Sequence, residues 1–231
     1  MSALMPLAVF DFDGTLCPGD SIVSFLSFCI QEKLAKPSQL LKAGKGFFLQ
    51  KTGRITPSYA KARTLSFLAD HSVAEIRPYA QRFVRDVLKP RIYPDAQKWL
   101  DKLHTEGYHI MVVSASTDIY MQFLPEILPV DTVLSTVYEI QEGHLYTGRV
   151  LSNCRGQEKA VRIQAWYANH PQFAWPPALA CGDSHHDIDM LRLSPHPVLV
   201  HPDAALQDAF PGAECLNWKR KASPSFLHMF R

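Results

Sequence analysis

Hydrophobic and polar positions follow two different rhythms along this chain. The first apolar run, Leu7-Ala8-Val9-Phe10, has strand length and stops abruptly at two carboxylates, Asp11 and Asp13. Gly14 follows, where the backbone can turn tightly and approach a ligand. Gly19-Asp20-Ser21 then opens a helix whose apolar face is Ile22, Phe25, Leu26 and Cys29. From there to about Pro90 the spacing is helical only. Pro37, Gly53, Pro57 and the Asp70-His71-Ser72 cluster break it into helices of modest length. Leu65, Phe67 and Leu68, with Ile76, Tyr79, Ala80, Phe83 and Val87, supply faces for a small helical bundle.

Beyond Tyr93-Pro94 the rhythm becomes alternating helix and strand. A helix through Trp99, Leu100 and Leu103 stops near Gly107, and the strand His109–Val113 runs into Ser114-Ala115-Ser116. A helix over Ile119–Ile127, a strand over Thr132–Val137 and a hairpin within Tyr138–Val150 come next. A helix then starts near Gly156 and carries Lys159, Val161, Ile163 and Trp166. The strand Ala178–Cys181 ends in Gly182-Asp183, a short helix holds Ile188 and Leu191, and a strand over Val198–Val200 leads to a helix over Asp203–Phe210. Strand, crossover helix and strand in repetition predict an α/β fold with a doubly wound parallel sheet. The expected domains are an α/β core from residues 1–16 and 91–231 and an inserted helical domain over residues 17–90.

Composition narrows the setting without changing this picture. The 231 residues, 47% of them hydrophobic, suffice for one sizeable core plus an insertion. The balance of 24 Lys+Arg against 22 Asp+Glu argues against a nucleic-acid binder that works by neutralising phosphates. Cys17, Cys29, Cys154, Cys181 and Cys215 form no C-x-x-C pair and are odd in number, so neither a zinc site nor a disulfide framework is expected. The first apolar run reads as a strand instead of a signal peptide, and none reaches the roughly 20 residues of a membrane span, so the expected location is cytoplasmic.

The chemistry sits at the predicted strand ends. Asp11 and Asp13, Ser114, and Asp183 with Asp187 end three strands, and Lys159 lies at a helix start. Strand ends of a parallel sheet open onto a common crevice, so two acid clusters, a hydroxyl and an ammonium would meet there. That set suits phosphoryl transfer. A carboxylate attacking a phosphate dianion needs a hard divalent cation against like-charge repulsion, with Asp11 and Asp183 as candidate Mg2+ ligands. Lys159, Ser114 and backbone N–H groups after Asp11 would meet the equatorial oxygens.

These residues resemble the motifs of the haloacid dehalogenase superfamily of phosphohydrolases. Asp11-Phe12-Asp13-Gly14-Thr15-Leu16 matches the first motif and Val112-Val113-Ser114 the second. Lys159 matches the third, and Gly182-Asp183-Ser184-His185-His186-Asp187 the fourth. The helical stretch between the first and second resembles the small cap of the phosphoserine-phosphatase-like subclass, and the likeness covers nearly the whole chain. It implies a Rossmann-like core, an Mg2+-dependent phosphatase and a small phosphate-ester substrate. Asp11 would be the nucleophile that forms an aspartyl-phosphate, and Asp13 the acid/base. Thr15 and Ser114 would hold the nucleophile loop and the phosphate, Lys159 would neutralise charge, and the metal carboxylates would be drawn from Asp11, Asp13, Asp183 and Asp187.

Substrate choice in such a protein is expected from the cap. Asp20 stands either as a helix N-cap or, where phosphoserine phosphatases carry a Glu, as an anion that selects an amine-bearing substrate such as phosphoserine or histidinol phosphate. Arg63, on a helix expected over Ser58–Ala69, matches a cap arginine for substrate anions, and Ala115 and His186 are further candidate contacts. Within Leu40–Arg54, Lys42, Lys45, Lys51 and Arg54 interleave with Leu41, Phe47, Phe48 and Leu49. The expected arrangement puts Phe47 and Phe48 in the core and the lysines in water. The alternative is contact with an anionic membrane surface, as for a phosphatidylglycerophosphate-type phosphatase, whose Asn153-Cys154-Arg155-Gly156 lead-in is similar. A catalytically silent binding protein with the same fold is the remaining class.

Overall fold

β1 (Leu7–Phe10) is the axis around which the other strands are arranged. In this computed structural model residues 4–69 and 71–219 are described. Asp70 of the expected helix break and both ends of the expected core domain lie outside the described residues. The other strands are β2 (His109–Thr117), β3 (Thr132–Gln141), β4 (Leu145–Ser152), β5 (Leu179–Gly182), β6 (Pro197–Val200) and β7 (Glu214–Leu216). Among the described residues they form one seven-stranded sheet in the order β4-β3-β2-β1-β5-β6-β7. All neighbours are parallel except the antiparallel pair β3 and β4.

The alternation of side chains along the strands builds a core on each face of the sheet. Leu7 and Val9 of β1 join Met111 and Val113 of β2 on one face, where Ile163, Leu191 and Leu206 cover them. Ala8 and Phe10 join Ile110 and Val112 on the other, under Phe25, Phe83, Leu100 and Tyr120. Burial on both sides is why these strands read as unbroken apolar runs. The helices are α1 (Ser21–Gln31), α2 (Ser38–Lys51), α3 (Pro57–Thr64), α4 (Val73–Phe83), α5 (Pro94–Thr105), α6 (Asp118–Met121), α7 (Gln157–Ala168), α8 (Ile188–Leu191) and α9 (Ala204–Ala209).

Helices α1 to α4 lie between β1 and α5 in the chain, and the β3–β4 hairpin packs against them. The Tyr138 hydroxyl donates to Lys61 O at 2.9 Å, and the Val73 N–H donates to His144 O at 2.8 Å. Local departures from the sequence pattern have identifiable causes. The helix expected over Ile119–Ile127 stops at Met121, followed by a separate 3-10 turn over Leu124–Glu126, because Pro125 offers no N–H and its ring blocks a continuous helix. β7, only three residues long, was too short to carry a periodic signal.

Phe47 and Phe48, expected in the core, are 66% and 62% exposed. α2 turns a polar and small-residue face inward instead. Gly46 sits against α3, where a β-carbon would stand 3.6 Å from Ala60 O. Buried Gln39 donates to Arg63 O at 2.6 Å and to the Ser66 hydroxyl at 2.8 Å. The hydrogen bonds of the buried Gln39 amide tie this face to the chain around α3, and that fixes which face of the helix is inside.

Candidate active site

Leaving β1, the chain extends its ladder one residue past the strand: the Asp11 N–H donates to Cys181 O at 2.9 Å. β2 and β5 flank β1, so the residues after β1, along β2 and after β5 converge where the direction of strand succession reverses, the usual ligand crevice of such sheets. Gly14 has φ +85°. A β-carbon there would stand 2.5 Å from the carboxyl carbon of Asp183, so the turn after β1 and the loop after β5 meet at a point only glycine can occupy.

Lys159, in the first turn of α7, is almost fully buried and bridges two carboxylates, at 2.5 Å from Asp11 Oδ1 and 2.6 Å from Asp187 Oδ1. Burial alone would lower its pKa, but the charges of Asp11 and Asp187 outweigh that and hold the ammonium well above its usual value. The other Asp187 oxygen accepts from the Asp183 and Ser184 N–H groups at 3.2 and 3.1 Å, so the loop after β5 wraps around this carboxylate. Gly182 makes room for it, since a β-carbon there would lie 2.6 Å from Asp187 Cβ.

Asp11, Asp183 and Asp187 each present a carboxylate oxygen, and these oxygens lie within 4.8 Å of one another. Burial, then the charges of Asp11 and Asp187, push the Asp183 carboxyl up to about 9. Asp11 rises to about 6 through burial, partly offset by Lys159. The cluster thus holds more carboxylate than its one ammonium can balance, and every donor is a hard oxygen. Both facts fit Mg2+ or a similar cation.

Asp13 stands apart from those three. Its carboxylate accepts from the Ser21 N–H at 3.0 Å, the Ser21 hydroxyl at 2.8 Å and the Ser116 hydroxyl at 2.5 Å. The Ser21 hydroxyl also lies 2.7 Å from Tyr120 Oη. Burial, then the charge of Asp20, raise Asp13 to about 7, and the Ser116 hydrogen bond opposes the rise. Thr15 is buried in the turn after β1, with its hydroxyl 3.5 Å from Asp11 Oδ2. Ser114 Oγ faces the cleft and accepts from the Ser116 N–H at 3.0 Å.

The cleft above these groups measures about 210 Å³ and opens to solvent. Asp20, Ala115 and His186 line it. Asp20 also caps α1, with its Oδ1 accepting from the Ile22 and Val23 N–H groups at 2.9 and 3.1 Å, as its N-cap reading expects. Arg63 is not brought into the cleft. Two residues along a helix point in nearly opposite directions, and Lys61 takes the inward position. The Arg63 guanidinium lies 6.0 Å from the Tyr59 ring centroid. His185 is held by Asp203 at 2.7 Å, outside the cleft.

Lys61 and Arg155 are the cations that sequence reasoning did not assign to the site. Lys61 Nζ donates to Ala115 O at 2.6 Å and to Asn153 Oδ1 at 2.5 Å, and burial followed by the charge of Arg155 lowers it to about 7. The Arg155 guanidinium contacts the His186 ring, whose pKa burial and that arginine depress to about 4, leaving it a neutral acceptor. Ser21 and Ser116 also escaped notice. Ser116 had a usable signal, standing two residues after Ser114 on the same side of a strand.

The family model described as haloacid dehalogenase-like hydrolase matches residues 8–192. A histidinol-phosphatase of Neisseria meningitidis serogroup C is 23% identical over 205 residues, covering 87% of this chain and 92% of that protein. A Bordetella pertussis Tohama I protein of unknown function has a structure with a TM-score of 0.83 at 24% identity, covering 93% of this chain and 99% of that one. A phospho-aspartyl intermediate analogue of phosphoserine phosphatase gives a TM-score of 0.64 at 19% identity, covering 95% and 96%.

Proposed function

The chain belongs to the haloacid dehalogenase-like hydrolase family, and from that premise we propose that it is an Mg2+-dependent phosphomonoesterase acting through an aspartyl-phosphate on Asp11. The observation that carries the proposal is the contact between Asp11 and Lys159 at 2.5 Å inside a cluster of buried carboxylates. Asp11, Asp183 and Asp187 would hold the metal, with Asp187 also positioning Lys159. When bound, Mg2+ would offset the repulsion between a carboxylate and a phosphate dianion.

The proposed sequence has two displacements at phosphorus. Asp11 attacks, the bond to the ester oxygen breaks, and Asp13 gives that oxygen its proton. Water, deprotonated by Asp13, then attacks the aspartyl-phosphate, releasing inorganic phosphate and free Asp11. A carboxyl raised to about 7 populates both protonation states near neutrality, which supports this alternation for Asp13. Ser114 would bind phosphate oxygens and Lys159 would balance charge as the phosphoryl group transfers.

The substrate we propose is a small amine-bearing phosphate ester. Its support is the Asp20 carboxylate on a cleft of about 210 Å³, with the relative named histidinol-phosphatase and the structural likeness to phosphoserine phosphatase. The test is steady-state kinetics on histidinol phosphate, phosphoserine, glycerol phosphate and sugar phosphates with Mg2+. Higher kcat/KM for the amine-bearing esters is expected. Equal values for amine-free esters of similar size would reject the amine, and p-nitrophenyl phosphate turnover that survives EDTA would reject the metal.

A further inference from the structure

α2 is amphipathic the wrong way round for a helix of a closed globule. Leu40, Leu41, Gly44, Phe47 and Phe48 follow the i, i+1, i+4, i+7, i+8 spacing that places residues on one helical face. That face is the outer one: Leu41 is 78% exposed and Leu40 39%, beside the exposed phenylalanines described above. The inner face holds Gln39 and Gly46 against α3. Bulky apolar groups gathered on one exposed face mark a contact surface, since isolated ones would be scattered.

Charge identifies the kind of contact. The sequence has no acidic residue between Glu32 and Asp70, whereas Lys33, Lys36, Lys42, Lys45, Lys51 and Arg54 lie within or beside α2, all exposed. A second copy of the chain docking through the same face would oppose cation to cation. An anionic lipid surface complements both features, taking the apolar face into its headgroup boundary while lysine stems reach outward to phosphates. No helix among the described residues is long and apolar enough to cross a membrane, so the contact is one of lying on the surface. From this geometry we infer that α2 docks the protein on anionic membrane surfaces. The docking face is separate from the cleft, whose lining includes no residue of α2.

Co-sedimentation with sonicated vesicles tests this, using phosphatidylcholine alone and an equal mixture of phosphatidylcholine and phosphatidylglycerol. The full chain should bind the anionic vesicles at low salt and be released by high salt. The double variant Phe47→Ser, Phe48→Ser should lower the partition coefficient by about tenfold or more, since two phenylalanines lose their buried area. The variant Lys42→Gln, Lys45→Gln should weaken binding and its salt dependence. Both variants should retain wild-type turnover of p-nitrophenyl phosphate, which verifies folding. Absence of binding to anionic vesicles, equal binding to neutral ones, or undiminished binding by the folded phenylalanine variant would overturn the inference. So would a dimer in sedimentation velocity that the phenylalanine variant abolishes, because the face would then belong to a second copy.

Discussion

Lys159 stands between Asp11 and Asp187 as a shared cation, 2.5 Å from one carboxylate and 2.6 Å from the other, with all three side chains buried. Removing the ammonium strands two carboxylates in a low-dielectric site. Lys159→Met should therefore abolish activity and also destabilise the metal-free fold by roughly 3–5 kcal/mol, the usual cost of breaking a buried ion pair from one side. Adding Asp11→Asn should recover part of that loss, as chemical denaturation of both variants would show. Purely additive effects would mean that the two groups do not interact as the geometry indicates.

Asp11→Asn by itself keeps the shape of the site and removes the proposed nucleophile. Turnover should fall by at least about a thousandfold, the scale expected when a covalent step is lost. Circular dichroism should be unchanged. Full activity in the purified variant would exclude a covalent route through this residue.

Asp13 is proposed to act twice, and its two roles separate by leaving group. p-Nitrophenolate departs without a proton, so Asp13→Asn should spare the first displacement of p-nitrophenyl phosphate while slowing attack of water on the aspartyl-phosphate. Stopped-flow should show a burst of p-nitrophenol near one equivalent of enzyme, followed by slow turnover. With an alkyl phosphate no burst should form. In the unsubstituted enzyme kcat/KM for the alkyl ester should decline as pH rises through about 7, because the proton-donating form of Asp13 is lost there.

The raised carboxyls also set the pH dependence of stability in the absence of metal. Asp11 near 6, Asp13 near 7 and Asp183 near 9 all titrate above the usual carboxylate value of 3.8, so through these three groups the folded chain binds more protons than the unfolded one, an excess that is largest near pH 6 to 7 and that lowered Lys61, near 7, opposes in alkali. Their contribution is intact below the unfolded value and is lost as pH rises through the folded ones. Lys159 works in the same sense only in strong alkali. In EDTA the melting temperature should be lower at about pH 8 than at about pH 6, and Mg2+ should raise it more at the higher pH, since a cation relieves repulsion only among ionised groups. An equal Mg2+ effect at both pH values would contradict the assigned carboxyls.

The acids at the strand ends were legible because burial on both sheet faces leaves an apolar run that ends where the polar residue begins. Lys159 was legible only beside those acids and through the resemblance of the motifs, since a lysine at a helix start is by itself usually solvated. What pattern could not supply was direction. Periodicity says that α2 has an apolar face but not which face points inward, and there the buried, hydrogen-bonded amide of Gln39 decided against Phe47 and Phe48. Arg63 was similarly a cation on the right helix one half-turn away from the cleft, while Lys61 entered it. The hydroxyls around Asp13 come from segments 95 residues apart in the chain, Ser21 and Ser116, so only the folded topology brings them together.

Lys61 and Arg155 provide the last prediction. Both line the cleft, and neither pairs there with a carboxylate: Lys61 is held by Ala115 O and Asn153 Oδ1, and Arg155 by the neutral His186 ring. Asp20 acts on both only at longer range, and cations desolvated without a carboxylate in direct contact gain most when an anion arrives. Their hydrogen bonds go to Ala115, Thr136, Asn153 and His186 and not to Asp11 or Lys159, so they should act on binding more than on the displacement at phosphorus. Lys61→Met and Arg155→Leu should each raise KM for phosphate esters by about tenfold or more, the loss of one charge-assisted hydrogen bond, with a smaller change in kcat. Lys61→Arg should restore part of the affinity if charge is what matters. Inhibition by free phosphate should weaken in parallel with KM. A fall in kcat at constant KM would instead assign these side chains to the transition state and move the substrate-binding determinant elsewhere in the cleft.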